Sequence, residues 1–400
     1  MNETERIRRR RERLRQELED ADVPLDFDDD RGQRILHELD YARFPHRHER
    51  DFPTYGALVV NDRSQLRAWT DLMVTDAGGC SPHALRLLAD GRQSFVLVSA
   101  GHADLATFLS ARDRETDLVR LQRQSPPDLV IVQRTAHGIV RAFIHGLLIE
   151  WDGARWWTRS YADAYVREVL RCVPDCPRDV LAAILEFCLH TLAPAPAGAA
   201  LVWLLDDHGA DQLGHLRRPQ PPVALPALSL LDPRTHGALR QMLAQIDGAT
   251  IVDHQGNVLE TGVHLIGSER SAALIGTRPG RGTRHGSARR FSFDEPRTVV
   301  FVVSEDGPVT VFSDGAIAAS IDNLGRDQLP RPTSQDGAAA TSDVRGVRII
   351  HCSTCRTRLG ASRDTGTEER VDECPVCSAS IPSPWADASC RLWAVKAPSP

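Results

Sequence analysis

Short apolar runs separated by polar, turn-forming stretches set the pattern of this chain. Ala57-Leu58-Val59-Val60, Phe95-Val96-Leu97-Val98 and Leu129-Val130-Ile131-Val132 each predict a buried strand. Gln65–Met73 and Pro82–Leu88, between them, have helical spacing. Two further β runs follow, Gly138–Ile144 and Leu147–Trp151. Asp152-Gly153 is a hairpin signal leading into Arg155-Trp156-Trp157-Thr158. Strand and helix alternate, which predicts an α/β layer architecture for a unit over residues 54–160. No catalytic constellation stands out there, and His102, His137 and His145 are isolated, so a sensor or docking role is expected of it. Ahead of it, residues 1–22 are dominated by Arg and Glu, with Ile7, Leu14 and Leu18 as a thin apolar stripe. That predicts a solvated helix resting weakly on a neighbour; interspersed glutamates disfavour a nucleic-acid arm. Asp28-Asp29-Asp30 and Phe44-Pro45-His46-Arg47-His48 read as irregular connection, so residues 1–53 form a charged lead-in.

A second unit is expected over residues 161–325. Val180–Leu192 patterns as an apolar helix through Ile184, Phe187 and Leu192, broken at Ala195-Pro196-Ala197-Gly198. Ala200–Leu205 is a buried strand, Pro219–Pro226 a loop, and Leu239–Ile246 a helix that delivers the chain to Asp247. Strands Thr250–Val252 and Val258–Val263 are joined by a turn at His254-Gln255-Gly256-Asn257, and strands Thr298–Val303 and Val309–Phe312 follow. Residues 326–345 form a flexible linker, since 330–343 hold no large apolar side chain, and 346–400 are a last small unit.

Length and charge narrow the classes. Four hundred residues predict two or three domains. A hydrophobic content of 42% and a charged content of 26% are those of a globular protein. A formal net charge of -6 argues against bulk, non-specific nucleic-acid binding. No run approaches the roughly 18 apolar residues of a membrane span, and Met1–Arg6 is charged, so a cytoplasmic protein without membrane attachment is expected. Nine cysteines in that compartment predict metal ligands or plain thiols.

Four of them stand in a spacing with chemical meaning. Cys352-Ser353-Thr354-Cys355 and Cys374-Pro375-Val376-Cys377 are two C-x2-C pairs separated by 18 residues. Each pair can place two thiolates on one tetrahedral ion. A four-thiolate site leaves no open position, so the expected zinc is structural and the unit looks like a zinc ribbon. Cys80, Cys172, Cys176, Cys188 and Cys390 are expected to be plain thiols.

Asp-Gly-Ala occurs at Asp152, Asp247, Asp314 and Asp336. The first falls in a hairpin turn, the third after a strand and the fourth in the linker. Asp247 alone lies between a helix and a buried strand, where Gly248 permits close backbone approach and the carboxylate can hold Mg²⁺ or Mn²⁺ against phosphates. Arg278–Arg290 is glycine-rich and basic. Read as a loop, it offers backbone N–H groups and Thr, Arg and His donors to an anion, and Ser287 could cap a following helix.

Together these stretches resemble the bacterial diadenylate cyclase (DAC) domain, the DisA-type nucleotide-binding domain. The resemblance rests on Asp247-Gly248-Ala249, on Gly282-Thr283-Arg284-His285-Gly286-Ser287-Ala288, and on Val303-Ser304-Glu305-Asp306, in the family's order and close to its spacing. It covers roughly residues 162–325. It implies an α/β fold with a mixed central sheet and flanking helices, preceded here by the α/β sensor-like unit. It also implies condensation of two ATP into cyclic di-AMP and two pyrophosphates across a face-to-face domain pair, and hence a homo-oligomer. Carried over, Asp247 sits at a Mg or Mn ion and the attacking hydroxyl. Gly282, Thr283, Arg284 and His285 hold phosphates, with Arg284 and His285 counted with Asp247 as catalytic. Ser304 lies at the terminal phosphate and Glu305 near the metal, while Gly248, Ala249 and Leu265 line the nucleotide pocket. One departure stands out: the family carries a second arginine where this chain has Gly286, a place that Arg281, Arg289 or Arg290 would have to fill. Two other functions fit the same residues, a silent sensor of ATP or cyclic di-AMP signalling through the ribbon, and a zinc-ribbon nucleic-acid binder, which the net acidity disfavours.

Overall fold

A computed structural model describes residues 3–45, 53–69, 71–112, 114–195, 198–207, 209–219, 225–275, 282–305, 307–321, 347–352, 354–355, 357–363, 373–381 and 390–394. The expected linker, Asp336 and Arg281 lie outside the described residues. The chain divides between Tyr161 and Ala162 into two compact units. Among the described residues no helix is long and apolar enough to cross a membrane.

The first unit holds α1 (Glu3–Asp20), α2 (Asp30–Arg43), β1 (Tyr55–Val59), β2 (Leu72–Thr75), α3 (Pro82–Leu88), β3 (Ser94–Ser99), β4 (His102–Phe108), α4 (Glu115–Arg123), β5 (Val130–Arg134), β6 (Val140–Ile144), β7 (Leu147–Trp151) and β8 (Trp156–Ser160). Its mixed sheet has the order β2-β4-β3-β1-β5-β6-β7-β8, with β1 and β3 parallel and the other neighbours antiparallel. The three runs expected to be buried strands are β1, β3 and β5. Asp152-Gly153 turns β7 into β8.

Three expectations are corrected here. The first helix of the lead-in is not weakly attached, and between the irregular Asp28-Asp29 and Phe44-Pro45 stands a second helix, α2, that was not expected; His46-Arg47-His48 lie outside the described residues. Leu14 and Leu18 of α1 are fully buried, and Ile35, Leu36, Leu39 and Ala42 give α2 an apolar face in the same core as Ala57 and Val132. Each buried Leu or Ile among them contributes about 1.5–3 kcal/mol on burial. The arginines of α1 serve this packing too, since Arg10 grips the buried Asp40 of α2 through two hydrogen bonds of 2.6 Å. The third correction concerns Gln65–Met73, which is a short 3-10 turn over Arg63–Ala68 followed by edge strand β2. Leu66, Trp69 and Leu72 recur every third residue and mimic a helical stripe, but Leu72 pairs with Phe108 as a strand residue.

The second unit holds α5 (Ala162–Cys172), α6 (Arg178–Phe187), β9 (Ala199–Leu204), β10 (Leu216–Arg217), α7 (His236–Leu243), β11 (Ala249–Val252), β12 (Val258–Leu265), α8 (Glu269–Leu274), α9 (Thr283–Asp294), β13 (Thr298–Val303), β14 (Val309–Ser313) and β15 (Ala316–Ile321). A π-helical turn over Cys188–Leu192 continues α6. The sheet runs β10-β12-β11-β9-β13-β14-β15, with β9 and β11 parallel and the remaining neighbours antiparallel. Period-two alternation sorts its side chains. Leu201, Trp203, Phe301 and Val303 pack against α5 and α6, among Val166, Leu181, Ile184 and Phe187. Ala200, Val202, Val300 and Val302 pack on the other face against Ala288 and Phe291 of α9. Beyond them, β16 (Val347–His351), β17 (Arg358–Arg363) and β18 (Cys390–Ala394) form a three-stranded antiparallel sheet.

Candidate functional site

Strand register brings the chemically marked residues to one end of the second sheet. Leu216 pairs with Leu265, Ala249 with Val263 and with Ala200, Ala199 with Val303, and Val303 with Val309. Asp247 and Gly248 therefore precede β11 where Gly198 precedes β9, and Ser304 and Glu305 follow β13 at the same end. A cleft of about 1020 Å³ opens there, lined by Asp247, Gly248, Ala249 and Leu265 on one side and by Ser304 and Glu305 on the other. Gly282, Thr283, Arg284 and His285 complete its wall. Every residue that the resemblance assigned to a nucleotide thus borders one cavity.

Asp247 is exposed at the lip, and its Oδ1 accepts from the N–H of Gly248 across 2.9 Å. Gly248 has φ +105°, and a Cβ there would lie 2.8 Å from the backbone carbon of Gly262. Only glycine combines that φ with that closeness. Gly262 has φ +76° itself, and the β11–β12 register shifts between Ala249 and Ile251. The irregularity at the head of β11 is what sets the Asp247 carboxylate beside the cleft.

The Gly-Thr-Arg-His stretch is not the loop expected. Gly282 is the N-cap of α9, and Thr283, Arg284 and His285 are its first turn. Ser287 is likewise not a cap but lies inside the helix, where it still lines the cleft. The first backbone N–H groups of a helix have no acceptor within the helix, and Gly282 provides no capping side chain. The start of α9 therefore presents N–H donors, the positive end of the helix dipole, a guanidinium and an imidazole to the cavity, which suits phosphate. Phe312 of β14 meets the His285 ring edge to face at 6.1 Å. The Arg284 guanidinium lies over Gly198, where a Cβ would fall 2.1 Å from Nη1 and 3.1 Å from Cγ of Glu305.

Among the described residues, and outside its own helix, nothing lies within 4 Å of a Cβ placed on Gly286. Neither described substitute for the family's second arginine is aimed at the cleft. Arg289 donates from Nε to the carbonyl of Gly315 at 2.7 Å and from Nη2 to those of Pro375 and Val376. Arg290 turns back onto the carbonyl of Gly286 at 3.3 Å. A different cation, Arg217 of β10, lines the cleft beside His264, with which it pairs across the strands. Sequence reasoning missed both. Arg217 stands on a strand of two residues that carries no periodicity, its one cue being the arginine pair Arg217-Arg218 before the proline-rich loop, and His264 falls just past the expected strand Val258–Val263.

Residues 189–317 match the family model described as DisA bacterial checkpoint controller nucleotide-binding. The chain carries a DAC domain. Residues 13–160 match the model described as Probable sensor domain DACNK, so the DAC domain follows a sensor-like domain. No curated protein matches the chain.

Beyond the DAC domain, Cys352, Cys355, Cys374 and Cys377 bring their Sγ atoms within 4.8 Å of one another. The Cys352–Cys377 and Cys355–Cys374 separations are 3.6 and 3.7 Å. Two thiolates at about 2.3 Å from a tetrahedral zinc stand about 3.8 Å apart, so the cluster fits the ion. Backbone bonds from Cys352 N to Thr357 O, and from Cys374 N to Ala379 O, shape the two knuckles. Burial works to raise the Cys352 thiol, but N–H groups of Cys355 and Thr354 hold it below its ordinary value. Burial pushes the Cys374 and Cys377 thiols up. Cys172, Cys176 and Cys188 belong to the apolar core under the sheet.

Proposed function

We propose that the DAC domain is a diadenylate cyclase, condensing two ATP into cyclic di-AMP with release of two pyrophosphates. The observation that carries this reading is the start of α9, which presents Thr283, Arg284 and His285 to the cleft that Asp247 borders. Phosphate groups rest on the α9 N-terminus, held by Thr283, Arg284 and His285. Ser304 meets the terminal phosphate, and Gly248, Ala249 and Leu265 face the nucleoside. Asp247, with Glu305 near it, would hold a Mg²⁺ or Mn²⁺ ion, which supplies charge neutralisation on the phosphates when bound. Two domains meet face to face, each with one ATP. The 3′-hydroxyl of each attacks the α-phosphorus of the other. Its O–P bond forms as the bond to pyrophosphate breaks, and its proton leaves toward Asp247. Positioning and charge stabilisation supply most of the acceleration.

Asp247→Asn tests this assignment. It keeps the shape of the lip but removes the charge, so ATP should still bind while metal-dependent product formation falls by at least a hundredfold, in the range of lost charge stabilisation. Full turnover in that variant would refute the role. A second reading, a nucleotide sensor without turnover, draws on the missing arginine at Gly286; it predicts binding without product in the unaltered protein.

A further inference from the structure

The second half of α9 is tied to the four-cysteine unit. Arg289 donates to the carbonyls of Pro375 and Val376, at 3.2 and 2.9 Å, and these two residues are the span between ligands Cys374 and Cys377. The same guanidinium donates to Gly315, in the turn between β14 and β15. That turn is closely packed, since a Cβ at Gly315 would lie 2.6 Å from Cδ1 of Ile275 and 3.0 Å from Cβ of Phe293. Ile275 and Ala316 in turn share a core with Cys352, Cys355, Leu359 and Cys374. Arg289 lies six residues after Thr283, about 9 Å along one continuous helix. A displacement at Arg289 is therefore felt at Thr283, Arg284 and His285.

We infer that Arg289 is a positioning residue that couples zinc at the four-cysteine site to nucleotide binding at the α9 N-terminus. The inference rests on the nucleotide reading of the cleft. A four-thiolate zinc fixes the Cys374–Cys377 knuckle and so the direction of its carbonyls. Charge-assisted hydrogen bonds weaken when such acceptors turn away. Arg289 then loses its bonds to Pro375 and Val376, which tie α9 to the four-cysteine unit, and the phosphate-binding turn loses its placement. Coupling of this kind is reciprocal: bound nucleotide must tighten zinc by the factor by which zinc tightens nucleotide.

Zinc affinity of the whole chain, measured by competition with a chromophoric chelator, decides the matter when compared with and without α,β-methylene-ATP and Mg²⁺. The expected result is that the analogue tightens zinc roughly 5-fold or more. Arg289→Ala should still bind one zinc but show no such shift, and Arg289→Lys should restore part of it. A purely structural role would weaken zinc equally with and without nucleotide and leave the shift intact, which overturns the inference. Should Arg289→Ala fail to fold, the wild type and Arg289→Lys decide. Identical zinc affinities with and without nucleotide in wild type, where calorimetry shows the analogue bound, overturn the coupling alone. No binding of the analogue to zinc-loaded wild type overturns both the coupling and the nucleotide reading.

Discussion

Arg284 leans on Gly198: a methyl group on that glycine would lie 2.1 Å from Nη1 of the guanidinium. No positive φ is involved, so the need for glycine is one of room. The clashing atom is the far end of a flexible side chain, which can swing away without disturbing the strands. Gly198→Ala should therefore leave folding stability nearly unchanged but displace Arg284 from the cleft. A charge-assisted hydrogen bond is worth about 1.5–3 kcal/mol, so ATP affinity should fall by at least about tenfold. Calorimetric titration checks it; unchanged affinity would remove Arg284 from the phosphate site.

Gly248 makes the opposite demand. Its φ of +105° and the Gly262 backbone 2.8 Å from a hypothetical Cβ leave nothing cheap to move. Gly248→Ala should destabilise the second unit by about 1–3 kcal/mol and shift Asp247 as it does so. Denaturant unfolding measures the first effect and the loss of product the second. A variant of wild-type stability would show that the β11–β12 irregularity relaxes freely.

Gly286→Arg restores the arginine of the family pattern at a place where, among the described residues outside its own helix, nothing lies within 4 Å of an added Cβ. Replacing a helical glycine gains about 0.8–1 kcal/mol, and a cation near a helix N-terminus costs about 0.3–1 kcal/mol. Stability should stay close to neutral. A long cation in the turn that follows Arg284 should tighten ATP binding by about tenfold, the worth of one charge-assisted hydrogen bond, or raise turnover; binding and product assays that both stay flat would make the substitution irrelevant to the site.

Most of the second sheet was legible from the chain, because β9, β11, β13 and β14 are apolar runs buried on both faces. Asp247 was singled out among four Asp-Gly-Ala copies by its neighbours, and it borders the cleft. The α9 helix was hidden because Gly282, Gly286 and a cluster of arginines mask its periodicity, and its buried anchors are just Ala288, Phe291 and Ser292. In the first unit α2 was lost between two polar clusters although Ile35, Leu36 and Leu39 mark its face. Arg289 could not be foreseen in its role at all, since its partners Pro375 and Val376 lie 86 and 87 residues away.

His37 gives the first unit a pH dependence. Burial lowers its affinity for a proton, and the charges of Arg86 and Arg11 add to that, against the opposing pull of Glu38 and Asp40. The unfolded chain binds the proton more readily, so this stability is fully present above the ordinary pKa of about 6.5. It declines as pH falls from there through the lower folded value. Hydrogen exchange of α2 should accelerate as pH falls below about 6.5, and His37→Gln should flatten that trend. Equal slopes in the two proteins would show that the imidazole is not the group responsible.

The most direct measurement is the identity of the product. The purified chain is incubated with ATP and either Mn²⁺ or Mg²⁺, and the nucleotides are resolved by mass spectrometry. The account predicts cyclic di-AMP together with pyrophosphate, two pyrophosphates for each cyclic dinucleotide, and at least about a hundredfold less from Asp247→Asn. Nucleotide binding without any cyclic dinucleotide, under either metal, would contradict it.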